Sequence, residues 1–243
     1  VSYGPLAAAA RRMAPALSLW LYDYGRMAVQ VFLVIAGFLA ARALAADGVP
    51  RIANPVSLAW KRYRRLSVPF FVSVLFAVGA AWLARLAFQD DMMPAAPDVL
   101  QLLAYAFLLH DILDQPSLST GVWYVPVDFQ LFLVMLVLAC LARQANAEKR
   151  PWVFPALVAL LGAASLFHFN RNPELDDWGV YFFHSYALGA LAWWLAGGRA
   201  RAVWLWLPVV VVGIALLQDF RERVLIALGC AAVLLLARRK EWL

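Results

Sequence analysis

Long apolar runs separated by short charged clusters are the feature that most constrains the fold of this chain. Seven runs of about 14 to 22 residues are long enough for a helix to cross a bilayer, alone or with a few flanking residues. Nearly all charged residues lie between the runs. The runs cover residues 28–45, 67–88, 122–142, 152–169, 178–196, 203–217 and 224–237.

The composition predicts the same fold class. Of the 243 residues, 65% are apolar and 15% are charged, which is more apolar than a soluble domain of this length requires. We predict an all-α, polytopic integral membrane bundle of about seven spans that forms one domain over residues 1–243 and has the lipid bilayer as its partner. The sequence contains no repeat and no polar stretch long enough for a second domain.

The basic residues after the first run set the expected orientation. The segment from Arg51 to Arg65 is the strongest basic cluster, so the positive-inside rule places it in the cytoplasm. The later loops are basic on the cytoplasmic side and acidic on the outer side only if the short apolar run 99–109 does not cross the membrane. We therefore expect this run to be re-entrant or interfacial, with Arg143 on the cytoplasmic side and Asp176 outside.

The formal net charge of +6 does not indicate nucleic acid, because the basic residues lie at the ends of apolar runs and not on a polar surface with interleaved aromatics. Cys140 and Cys230 lie within apolar runs and lack CxxC spacing or a nearby histidine cluster. We predict that they are buried apolar residues and that the chain has no metal site.

Two polar features lie near the first two runs. Gln30 is at the start of the first run, where Gly37 also permits close helix packing, and ordinary packing is an alternative interpretation. Arg62 and Arg65 are three residues apart, on one face of a helix. They are suited to bind phosphate oxygens, although an anchoring role at the cytoplasmic surface is an alternative.

The third polar feature lies inside an apolar run. Asp128 is several residues within the run that follows Trp123, where a charged side chain costs at least about 2.5 kcal/mol. Gln130 is close in sequence. The pair either contributes to a functional site or holds two helices together through polar contacts.

In this order and spacing, these stretches resemble the membrane-bound acyltransferase-3 family. The family pattern reads G-V-D-x-F-F-V-x-S-G-F-L, then R-x-x-R-L-x-P-x-Y, then W-S-L-x-V-E-x-Q-F-Y-L. Gln130 is kept, but this chain has Gln30 at the acidic position, Ala36 in place of Ser and Asp128 in place of Glu. The matching segments are residues 28–39, 62–71 and 123–133.

The resemblance implies an enzyme of the bacterial inner membrane that transfers an acyl group, commonly acetyl, from acyl-coenzyme A to a hydroxyl of a cell-envelope glycan. No tightly bound cofactor is implied. Arg62 and Arg65 would bind the phosphates of the donor, and Asp128 and Gln130 would order the catalytic cavity. Further candidates for the site are Gln30, Trp123 and His110.

Two family features have no counterpart here. The family usually has ten spans; its first carries a histidine taken to be the general base, and its last pair includes a tyrosine-rich helix. We therefore expect the chain to correspond to the second through eighth spans, to be incomplete at both ends, and to be inactive alone. His110, His168 and His184 are alternative bases, each with an ordinary structural interpretation.

We expect no contact between Arg62, near the cytoplasmic end of one helix, and Asp128, near the outer end of another. Asp128 would then serve the acceptor half of the cavity.

Two other functions stay open. One is a transporter or flippase of a glycan precursor, which the lack of paired inverted halves disfavours. The other is a non-catalytic membrane remnant, with which Ala36 is compatible.

Overall fold

The computed structural model describes residues 13–16, 25–87, 96–118, 122–197 and 202–242. These residues form helices joined by turns and loops, with no strand among them, so the all-α prediction is confirmed. The helices are α1 Ala28–Ala45, α2 Pro55–Ala87, α3 Val99–Ala106, α4 Tyr124–Gln144, α5 Val153–Phe167, α6 Gly179–Ala196, α7 Ala202–Gln218 and α8 Glu222–Arg239.

The start of α2 differs most from the sequence prediction. The helix begins at Pro55 and not at residue 67, and the expected last residue, Phe88, lies outside the described residues. The Asn54 side chain accepts a hydrogen bond from the Ser57 backbone N–H at 3.0 Å, which caps the helix. Pro55 then occupies a first-turn position, where its missing N–H has no cost. The basic segment 61–65 is therefore helical.

Helix α6 lies at the centre of the bundle, with α1, α4, α5 and α8 packed around it. At one end Trp194 Nε1 donates to the carbonyl oxygen of Ala45 at 2.7 Å, which joins the C-termini of α6 and α1. At the other end the Gly179 N–H donates to Gln130 Oε1 at 2.7 Å, which joins the N-terminal parts of α6 and α4. These three helices therefore run in the same direction. We call the end that carries residues 46–54 the inner end and the opposite one the outer end, after the orientation expected from the basic residues.

Two glycines allow α1 and α6 to come into backbone contact. A Cβ at Gly37 would overlap the carbonyl oxygen of Tyr186, and one at Gly189 would overlap that of Val34. Small residues at such crossings let two helices gain dispersion energy along their whole contact, which matters in lipid because the hydrophobic effect adds little there. The prediction that Gly37 permits close packing agrees with this geometry.

Four described helical segments are long and apolar enough to cross a bilayer: Ala28–Ala45, Pro55–Leu83, Tyr124–Gln144 and Val153–Arg171. A shorter apolar segment covers Trp206–Gln218. Helix α6 carries His184, Ser185 and two tyrosines within its apolar sequence. Its neighbours shield these groups from lipid, and each of them is buried. The helices agree with a membrane bundle.

Helix α3 has eight residues, a length of about 12 Å that is too short to cross the membrane. Asp98 caps its N-terminus by accepting from the Gln101 N–H at 2.6 Å. Leu108 follows its C-terminus in the left-handed conformation, with φ of 59°, and the Leu109 N–H donates back to the Ala104 carbonyl at 2.8 Å. This turn directs the chain towards His110.

Candidate active site

An ion pair between α2 and α4 is the central feature of the site. Arg62 Nη2 donates to Asp128 Oδ2 at 2.6 Å. The Asp128 side chain is 3% exposed and that of Arg62 is 27% exposed. The expectation that these residues do not touch is therefore wrong.

The position of each residue within its helix explains the contact. Because α2 begins at Pro55, Arg62 lies seven residues, or about 10 Å, along the helix axis from the inner end. Its long side chain extends further over the ring of Phe132, 5.4 Å from the ring centroid, and reaches α4. The sequence prediction placed Arg62 near the cytoplasmic end of its helix, before the apolar run 67–88, and so too far from Asp128.

Several polar atoms around the ion pair have no hydrogen-bond partner among the described residues. They include Asp128 Oδ1, Arg62 Nε and the hydroxyl of Tyr186. Tyr124 and Tyr186 are close enough to interact electrostatically with both charged groups. Buried polar atoms are normally paired, so this group is suited to bind the polar atoms of a ligand.

The other residues predicted for the catalytic cavity mainly join helices. Ser185 Oγ, next to Tyr186, donates to Gln30 Oε1 at 2.6 Å and connects α6 to α1. Gln130 accepts from the Gly179 N–H and donates to the Asp177 carbonyl at 3.2 Å, and so satisfies backbone groups at the start of α6. The Trp123 ring packs on Phe182, with centroids 5.7 Å apart.

Arg65 lies apart from the ion pair. It is exposed and lines a shallow basic groove on the surface of α2, formed by Lys61, Arg64, Arg65, Val68 and Pro69. Arg62 and Arg65 therefore have different surroundings, since Arg62 contacts Asp128 and Arg65 faces outward. The groove contains three basic side chains within two helical turns. None of the three has a carboxylate of the described residues within ion-pair distance.

The three histidines lie in three different environments. His168 is exposed at the end of α5. The His184 ring is buried between α5 and α6, with Nδ1 3.4 Å from Ser165 Oγ. His110 is fully buried and stacks on Tyr105 with centroids 3.9 Å apart, and both its ring nitrogens lack a hydrogen bond. Burial lowers the pKa of His110 to about 4, so its ring is neutral at physiological pH.

Asp111 lies beside His110, with Oδ2 3.6 Å from His110 Nε2, too far for a hydrogen bond. Burial, together with the negative charges of Asp177 and Asp176, raises the pKa of Asp111 to about 6. The loop after α3 and the loop before α6 therefore bring carboxylates together at the outer end. This proximity was not predicted from the sequence, because the two loops are distant in the chain.

Asp111→Asn is expected to raise the melting temperature at pH 8. An acid whose pKa is higher in the folded state than its usual 3.8 destabilises that state when it ionises. This destabilisation is absent below the unfolded pKa, grows between 3.8 and about 6, and is complete above that value. The gain from asparagine should therefore disappear as the pH falls from 6 towards 4.

Thermal unfolding of the detergent-solubilised protein at several pH values measures this effect. Glu148→Gln, at an exposed position of the inner end, serves as the control and should change little at any pH. A gain for Asp111→Asn that is equally large at pH 4 and pH 8 would show that its ionisation is not the cause.

The fold and site are those of an integral membrane protein with a charged site enclosed by its helices. A family model described as an acyltransferase domain, that of acyltransferase-3, matches residues 9–238. The chain therefore belongs to the acyltransferase-3 family, as its motifs predicted, and is a membrane acyltransferase. Comparison with curated proteins and with solved structures gave no match. Family membership favours the enzyme over the transporter and the non-catalytic remnant.

Proposed function

We propose that this protein is an inner-membrane O-acyltransferase that moves an acyl group, in the simplest case acetyl, from acyl-coenzyme A to a hydroxyl of a cell-envelope glycan. The observation that supports this most directly is the partly buried Arg62–Asp128 pair, in which the carboxylate is buried. It places a cation and a carboxylate together between helices, with Arg62 Nε and Asp128 Oδ1 both unpaired among the described residues.

The donor would bind through its phosphates at the basic groove of α2. Lys61, Arg64 and Arg65 are exposed there, and guanidinium groups match phosphate oxygens in charge and geometry. Arg62 lies on the same two turns of α2 but points to α4. In this proposal the acyl donor lies along α2, with its phosphates at the groove and its thioester at the ion pair.

The ion pair provides groups for both halves of the acyl transfer. In this proposal Asp128 Oδ1 takes the place of the family's histidine as general base: the acceptor hydroxyl attacks the carbonyl carbon of the thioester, and its proton passes to that oxygen. Arg62 Nε is the donor available to stabilise the negative charge that develops on the carbonyl oxygen. The carbon–sulfur bond then breaks, and Asp128 returns the proton to the departing thiolate.

The groove is tested by kinetics with membranes that contain the full-length protein, labelled acetyl-coenzyme A and envelope glycan. Arg64→Gln combined with Arg65→Gln is expected to raise KM for the donor about tenfold, equivalent to 1.4 kcal/mol, with a smaller change in kcat. Loss of phosphate contacts weakens binding of the donor without touching the reacting atoms.

Arg51→Gln is the matched control, because Arg51 is also an exposed arginine of the inner end but lies outside the groove. It should leave KM unchanged. An unchanged KM in the double variant would remove the groove from the donor site. Movement of glycan across the membrane without a covalently acylated product would contradict the proposed reaction itself.

A further inference from the structure

Three arginines lie close together at the outer end, where the positive-inside rule predicts few basic residues. Arg171 follows α5, Arg221 immediately precedes α8, and Arg223 is in the first turn of α8. The charge of Arg221 interacts with those of Arg171 and Arg223. This cluster is at the opposite end of the bundle from the basic groove, since the last turn of α8 contacts the C-terminal part of α6 at the inner end.

Arg221 is the buried member of the cluster. Its side chain is 9% exposed; Nη1 donates to Asn170 Oδ1, and Nη2 donates to the Leu166 carbonyl at 3.1 Å. Among the described residues only Asp219 contacts it with a negative charge, at 3.3 Å, and that side chain is 48% exposed. A buried cation with a half-exposed partner is incompletely neutralised, which costs free energy unless another anion is present.

Arg223 adds a second cation beside it. Its Nη2 is 3.4 Å from the Asn170 carbonyl oxygen, and its guanidinium carbon lies 5.2 Å from the centroid of the Tyr181 ring. No carboxylate of the described residues lies within ion-pair distance of Arg223. Glu222, the other acidic residue of this turn, is exposed.

The backbone and the neighbouring network favour an anion at the same place. No side chain caps the N-terminus of α8, so its partial positive charge is available to a ligand. Asn170 Nδ2 donates to the Tyr181 carbonyl at 3.1 Å, which fixes the amide that holds Arg221. The two arginines are therefore held in place by contacts that do not fully neutralise their positive charge.

Exposed apolar residues next to the cluster indicate that it lies beside membrane lipid. Leu217, four residues before Arg221, is 90% exposed, and Phe220, immediately before it, is 66% exposed. Apolar side chains in these positions are suited to lipid, and aromatic residues collect at the level of the headgroups. The phosphate of a membrane lipid is therefore the anion best placed to reach the cluster from this side.

We propose that Arg221 and Arg223, with Asn170 and the N-terminus of α8, form a binding site for the phosphate group of an anionic lipid in the outer leaflet. This site is separate from the Arg62–Asp128 pair. Its test measures lipid binding and not acyl transfer, so the two proposals can fail independently.

The test uses the full chain in bilayer nanodiscs that contain a photoreactive phosphatidylglycerol, with crosslinked peptides mapped by mass spectrometry. Crosslinks are expected in residues 217–227, and their yield should fall about tenfold in Arg223→Gln, the effect expected from losing one charge-assisted contact to phosphate. Arg223 is chosen because it makes one long hydrogen bond, whereas Arg221 makes two hydrogen bonds and an ion pair, so replacing Arg223 disturbs the fold less. Arg239→Gln, at the inner end of the same helix, is the matched control and should leave this yield unchanged.

Competition identifies the group that is recognised. Unlabelled phosphatidylglycerol should suppress the crosslinks to residues 217–227, whereas phosphatidylcholine and inorganic phosphate at the same concentration should not. An equal yield in Arg223→Gln, or equal competition by phosphatidylcholine, would overturn the site. Equal competition by inorganic phosphate would overturn the assignment to a lipid.

Discussion

Asp128→Asn is expected to lower acyl transfer by a factor of about 10² or more, the effect of removing a group that moves a proton in the transition state. Asparagine keeps the shape of the side chain and can still accept the hydrogen bond from Arg62. It cannot take the proton of the attacking hydroxyl at Oδ1. The loss should therefore appear in kcat, with a much smaller change in KM for acyl-coenzyme A.

The ion pair changes the stability expected of this variant. A carboxylate without a charged partner could be neutralised with little effect on folding, but Asp128 is bound to Arg62 at 2.6 Å. Its replacement leaves a largely buried guanidinium without a counter-charge and should cost about 1–3 kcal/mol of the free energy of unfolding. Activity must consequently be expressed per folded molecule, which size-exclusion chromatography and thermal unfolding measure.

Asp128→Glu is the informative control, because it retains the carboxylate and restores the residue of the family pattern. It is expected to keep transfer within about tenfold of the natural protein, since one extra methylene shifts the acid without removing it. Arg62→Gln should lower both activity and stability. Near-normal transfer in Asp128→Asn, or equal loss in the asparagine and glutamate variants at equal folding, would return Asp128 to a structural role.

The helices could be predicted from the sequence because long apolar runs identify them directly. The predicted first run and α1 have the same bounds, Ala28–Ala45, and those of α4 to α8 agree to within two residues. The start of α2 was missed because the basic segment interrupts the apolar pattern. Asn54 and Pro55 nevertheless form a recognisable start signal, a capping residue followed by proline at the first position.

The contacts of the site could be predicted only in part. The order of the motifs identified Arg62, Asp128, Gln30 and Gln130 as candidate site residues. A sequence motif does not show how two helices cross, so the ion pair was missed. Tyr186 was also missed, because a tyrosine in an apolar run is usually an interfacial anchor. Its position beside His184 and Ser185 was the available signal, since three polar side chains in sequence within one run indicate a helix enclosed by protein.

The second large effect is expected at the crossing of α1 and α6. Gly189→Ala should cost about 3 kcal/mol or more, because the new methyl group would overlap the carbonyl oxygen of Val34, and a backbone atom cannot rotate away as a side chain can. The helices would have to separate along their shared contact. That contact also holds Ser185 against Gln30, so activity should fall together with stability.

Gly229→Ala on α8 is the matched control, because nothing lies within 4 Å of a Cβ at that position. Alanine there should be neutral or stabilise the helix by about 0.5–1 kcal/mol, since it loses less conformational entropy on folding than glycine. Thermal unfolding in detergent, with the yield of monodisperse protein, separates the two variants. Equal melting temperatures for Gly189→Ala and Gly229→Ala would mean that α1 and α6 do not meet at their backbones.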